Sequence, residues 1–136
     1  MREILFRGKR TDNGEWVEGY YYKAKYCRTD DELCDYITVP HPKEYNEPSS
    51  HYIVDPDTVG QYTGLTDKNG KKIFEGDIVK RFWFSRMCIY QIVYDNGIAS
   101  FIGREGRRFT TFDYDSEEFE VICNIYDNSE LLGGNG

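Results

Sequence analysis

The chain has 136 residues, 39% apolar and 30% charged, with 12 Tyr, 8 Phe and a formal net charge of -7. That length suits one domain that buries its core without disulfides or metal, and the aromatic share favours β-structure over helix. No apolar run approaches the ~20 residues of a spanning helix, and an acidic balance argues against a general nucleic-acid binder, whose backbone contacts depend on Lys and Arg. The charge is uneven. Residues 1–70 hold 9 basic and 13 acidic groups (-4), residues 71–108 hold 8 and 4 (+4), and residues 109–136 hold 0 and 7 (-7).

In chain order, Glu3 to Lys9 and Glu15 to Tyr22 alternate imperfectly around Asp12, Asn13 and Gly14, which predicts a β-hairpin with positive φ in its turn. Between Lys25 and Ser50 the pattern weakens. A short strand at Tyr36 to Val39 precedes Pro40, Pro42 and Pro48, and the stretch reads as a long irregular excursion of the kind that carries binding function. His51 to Val54 and Val59 to Tyr62 resume β-character, separated by a turn at Asp55, Pro56 and Asp57. Asp67, Lys68, Asn69 and Gly70 mark a second tight turn before strands at Lys71 to Phe74 and Asp77 to Phe84. A third hairpin joins Tyr90 to Tyr94 and Ile98 to Ile102 through Asp95, Asn96 and Gly97. Strands at Phe109 to Tyr114 and Glu120 to Tyr126 follow, then a brief helical turn at Asn128 to Leu132. Helix content should be low.

Three motifs carry a family resemblance: the opening MREILFRGKRTDNGEWVEGYYY, the central VGQYTGLTDKNGKKIFEGDIVK from Val59 to Lys80, and the closing EVICNIYDNSELL. With these the chain resembles the YopX domain, a small protein type encoded by phages and prophages of Gram-positive bacteria. The resemblance implies an uncharacterised phage or prophage accessory protein, and it implies no reaction. Residues from about 24 to 50 and from about 81 to 116 match more loosely, where a lineage-specific function would sit. Two positions depart from the family pattern: Cys123 stands where Gly is usual before Asn124, and Ser129 stands where Pro is usual before Glu130. The last turn therefore lacks two residues that would fix its backbone.

The GDIV step at Gly76 to Val79, followed by a basic aromatic strand, also resembles the first long strand of SH3-like small barrels. The expected architecture is thus a single mostly β domain over residues 1–136. An N-terminal hairpin and excursion (1–58) would pack beside an SH3-like barrel in the C-terminal half (59–136).

Cys27, Cys34, His41 and His51 are the ligand types zinc prefers, but their six- and nine-residue spacings do not make the close pairs of a zinc knuckle. With Cys88 and Cys123, the cysteines read as free thiols of a cytoplasmic protein, since Met1 leads into a charged strand and not a signal peptide. Asp55, Asp57, Asp113, Asp115, Glu117, Glu118 and Glu120 offer paired carboxylates, yet acids alternating with aromatics more often form a solvated edge. Neither histidine has a recognisable Ser or Cys partner motif. Gly103 and Gly106 have no strand-to-helix step after them to cradle a phosphate and read as turn residues.

The basic centre is the best candidate surface. Lys80, Arg81, Trp83, Arg86, Arg104, Arg107 and Arg108 interleave with Phe82, Phe84, Phe101 and Phe109, pairing cations with ring faces as single-strand binders do. Strand alternation sets Phe82 and Phe84 on one face and Arg81 and Trp83 on the other, which predicts that at least two of these aromatics are core. The acidic residues after Thr111 are expected to fold back over this centre, within the chain or between copies. The first functional reading is a noncatalytic protein-binding module that also admits self-association; the second is a nucleic-acid-binding module using residues 80–108. No cofactor, metal or membrane is expected, and the site of action is the cytoplasm of the bacterial host.

Overall fold

The structure, a computed structural model, describes residues 4–25, 33–39, 50–98, 100–111 and 116–127. The chain forms two compact units, Met1–Gln61 and Tyr62–Gly136.

In the first unit, β1 (Phe6–Lys9), β2 (Trp16–Lys25), β3 (Leu33–Val39) and β4 (Ser50–Ile53) lie in the order β4-β3-β2-β1, all antiparallel. The first hairpin forms as its sequence predicts, with Phe6 opposite Gly19 and Lys9 opposite Trp16. Gly14 takes φ +74° in its turn, which Arg10 closes by donating its N–H to the Glu15 carbonyl at 2.8 Å. Within the excursion, the described residues 33–39 form a longer strand than the sequence indicates. The strand expected at Tyr36 begins at Leu33 and is paired on both sides, so Ile37 becomes fully buried between Tyr21 and Tyr52. Beneath it the Tyr21 hydroxyl donates to Asp35 Oδ2, and burial together with this bond pushes the phenol up to about 12. β5 (Gly60–Thr66) crosses the boundary: Gly60 and Gln61 pair with β1, and its later residues pair with β6 (Lys72–Phe74).

In the second unit, β7 (Asp77–Trp83), β8 (Arg86–Asp95), β9 (Ser100–Glu105), β10 (Arg108–Thr110) and β11 (Glu120–Asn124) form a five-stranded antiparallel sheet in the order β10-β9-β8-β7-β11. Period-two alternation along β8 buries Cys88, Tyr90 and Ile92 and leaves Met87 and Ile89 outside. The buried row joins Ile73, Val79, Phe101 and Phe119 in one core.

The SH3-like barrel is not present: no sheet of the described residues closes. The strands assigned to it are divided between two sheets at Glu75–Gly76, where Asp77 Oδ2 accepts the Phe74 N–H at 2.8 Å and Gly76 takes φ +94°. β10 and β11 each pair on one side only. β10 is three residues long, too short a ladder to carry closure.

The remaining turns follow side-chain chemistry as much as glycine. Asp67 is buried, with Oδ1 accepting from the N–H of Asn69 and Lys71 and Oδ2 from that of Val121, all at 2.9 Å, so the second tight turn is tied to β11. In the third hairpin four residues separate the paired Asp95 and Ser100, and Asp95 Oδ1 accepts from Gly97 and Ile98; Gly97 needs no left-handed φ. Gly106 turns the chain at φ +59°, but Gly103 does not. It lies within β9, where a Cβ would stand 3.0 Å from that of Tyr90. At the end, Asn124 Oδ1 accepts from the N–H of Tyr126 and of Asp127, which turns the chain after β11; Ser129 lies outside the described residues. The strand residues expected at 112–114 and the helical turn at 128–132 lie outside the described residues.

Candidate functional site

The second unit carries its three most exposed rings, Phe84, Phe82 and Phe109, together with Trp83, at or beside the turn end of the β7–β8 ribbon. Trp83 pairs with Arg86, leaving Phe84 and Ser85 as a two-residue turn with φ of 48° and 64°. This is the left-handed geometry a tight hairpin needs, imposed here on residues that pay a steric penalty for it, roughly 1–2 kcal/mol each. Phe84 is 86% exposed, Phe82 66% and Trp83 44%. None of the three is core, contrary to the expectation from alternation. The buried member of the stretch is Arg81, 6% exposed, whose guanidinium lies 4.4 Å from the Trp83 ring and 4.5 Å from the Phe119 ring. The face shared by Arg81 and Trp83 is the core face, and a cation stacked between two rings occupies its margin.

Beside that margin opens a cavity of about 350 Å³ with Trp83, Phe84 and Phe109 as ring walls, Arg86 and Arg108 at the rim, and Cys88 and Tyr90 within. Phe109 is 60% exposed, and Phe84 meets Trp83 edge-on at 4.9 Å. Arg86 Nε donates to Cys88 Sγ at 3.4 Å, which holds the thiol below its ordinary range against the opposing effect of burial. Burial pushes the Tyr90 phenol up.

The basic centre is largely matched by acids of the same unit. Arg81 pairs with Glu118 at 3.8 Å, Lys80 with Glu120 at 3.5 Å, Arg86 with Glu105 at 3.2 Å and Arg104 with Asp95 at 3.7 Å. The acidic segment after Thr111 therefore does fold back, through Glu118 and Glu120. Arg107 and Arg108 are exposed and form no ion pair with a described residue. Of the seven surface residues expected from the sequence, Arg81, Trp83, Arg86 and Arg108 line the cavity, Lys80 faces the other side of the ribbon, and Arg104 and Arg107 lie on and after β9. Sequence reasoning missed the Phe84–Ser85 turn, Cys88, Tyr90 and Glu105. The period-two run Cys88, Tyr90, Ile92 was the available signal.

The other candidates disperse. His51 on β4 has its Nδ1 3.0 Å from the Tyr22 hydroxyl and 2.9 Å from that of Thr38, while Cys34 lies four residues away on β3. Cys27 and His41 lie outside the described residues, as do Asp113 and Asp115. Among the described residues no three His, Cys, Asp or Glu side chains converge as metal ligands. Asp55 caps the 3-10 turn Pro56–Thr58 by accepting the Asp57 N–H, and Glu117 is exposed. No helix among the described residues is long and apolar enough to cross a membrane.

A comparison with curated proteins finds no match. Among solved structures, the crystal structure of protein EF1440 from Enterococcus faecalis is similar, with 26% identity and a TM-score of 0.55, over 97% of this chain and 99% of that one. The family model described as YopX protein matches residues 5–133. With nearly its whole length inside that match, the chain belongs to the YopX family.

Proposed function

We propose that the protein is a noncatalytic protein-binding module of a phage or prophage, and that the ring-walled cavity at the end of the β7–β8 ribbon is its contact site. The observation that carries this reading is the exposure of Trp83, Phe84 and Phe109 around one cavity, two of whose three arginines, Arg81 and Arg86, already pair with glutamates. Exposed aromatic rings make efficient contact anchors, and arginines restrained by glutamates orient a partner without requiring it to be strongly acidic. Photo-cross-linking tests this directly. A benzophenone side chain at Phe109 should capture a discrete host or phage protein in nuclease-treated lysate, whereas the same group at Asn13, in the first hairpin's turn, should not. Absence of any product specific to position 109 would overturn the reading.

A second reading, single-stranded nucleic acid on the same rings, is favoured by Arg107 and Arg108, which have no acidic partner among the described residues. Two such cations give at most a shallow salt dependence, about 0.7 per phosphate contact on a logarithmic plot. Anisotropy of a labelled oligothymidylate at low salt separates the readings: binding that is abolished by Arg107→Glu with Arg108→Glu supports nucleic acid, and no binding removes it.

A further inference from the structure

The opposite face of the same ribbon is a distinct surface. Phe82 stands directly across from Met87, and Lys80 across from Ile89, so these four side chains share the outer face of two adjacent strands. Phe82, Met87 and Ile89 are all exposed. Beside them lies a hollow of about 220 Å³ whose charged border is Lys68, Lys80, Arg81, Glu118 and Glu120; Arg81 is nearly buried and pairs with Glu118. Glu120 Oε1 is 3.4 Å from the Lys68 ammonium and 3.5 Å from that of Lys80.

We infer that this face is a self-association surface, and that its occupant is a second copy of this chain related by a two-fold axis. This rests on the reading of the β7–β8 ribbon as a protein-contact element and names one of its partners. A two-fold interface must be complementary to itself, and a patch that holds both signs of charge and both a projection and a hollow meets that condition. This face has Lys68, Lys80 and the nearly buried Arg81 with Glu118 and Glu120 around an apolar centre, and an exposed Phe82 ring beside a hollow that the ring of the other copy can fill. The chain carries -7 overall, so two copies meeting at a randomly chosen surface would repel. A patch whose cations and carboxylates nearly balance around an apolar centre is where that repulsion is smallest. A cationic partner would be opposed by Lys68 and Lys80 and an anionic one by Glu118 and Glu120, whereas a rotated copy sets each lysine toward a glutamate. The ring walls of the cavity lie on the other face, and Arg81 borders both the cavity and the hollow.

Sedimentation velocity on the full chain up to about 100 µM, where dissociation constants of tens of micromolar still register, should reveal a species of twice 16.0 kDa. Met87→Asp should weaken the association by about tenfold or more, as expected for a charge at an apolar centre, with an unchanged unfolding midpoint at concentrations where the chain is monomeric. Lys80→Glu should weaken it, and adding Glu120→Lys should restore it, because the exchanged pair is again self-complementary. A 16.0 kDa species throughout, or a dimer indifferent to Met87→Asp, overturns the inference. Cross-linking at Phe109 in the Met87→Asp background distinguishes the two contacts: a retained host product leaves the binding-module reading standing when self-association fails.

Discussion

The two ends of the β7–β8 ribbon use the same strands for opposite purposes. At the inner end Ile78, Val79 and Ile92 are almost fully buried, and the flanking rows close against Phe119 and Phe101. At the outer end Phe82, Trp83, Phe84 and Met87 are equally apolar and face solvent, around a turn held in a disfavoured backbone conformation. Apolar composition alone therefore does not identify the core. What separates the ends is whether other side chains pack on them, as Ile73, Phe101 and Phe119 do at the inner end, and the strained turn shows that the outer end is not optimised for stability.

Substitutions at the inner end should have the largest effect. Phe119→Ala removes a buried ring from between Tyr90 and the Arg81 guanidinium and should cost about 3–5 kcal/mol in urea unfolding. A loss below about 1 kcal/mol would mean that the inner end is no better packed than the outer. Asp67→Asn comes next, at about 2–3 kcal/mol, because an amide nitrogen would then face the Val121 N–H. Burial pushes the Asp67 carboxyl up, but the N–H donors of Val121, Lys71 and Asn69 outweigh it and hold the group below its ordinary range. Its contribution is therefore full above about pH 4, the unfolded value, and is lost as pH falls through the lower folded value. Acid titration of wild type against Asp67→Asn should show that component disappear in the variant. Phe82→Ala, at the outer end, should change stability by less than about 0.5 kcal/mol. A larger loss would place that ring in the folding core.

Much of the fold could be read from local chemistry. Asp12 to Gly14 and Asp67 to Gly70 announced their turns because Asx side chains and left-handed glycines act within a few residues. The barrel did not follow, because the strand that β5 pairs with is decided by nonlocal contacts, and β1 takes Gly60 and Gln61. The cationic and aromatic residues of the candidate site were visible as composition, but their allocation was not. Arg81 reads as a surface cation until Trp83, Phe119 and Glu118 are seen to surround it. The Phe84–Ser85 turn had no Asn or Gly to mark it.

The central claim is that the outer end is kept for contact at the expense of stability. The most direct measurement is made on Phe84→Asn with Ser85→Gly, which installs the preferred turn and removes one ring wall of the cavity. Unfolding free energy should rise by about 1–2 kcal/mol, while the cross-link yield from position 109 falls by about tenfold or more. A variant that is no more stable, or one that captures the same product undiminished, would contradict the account.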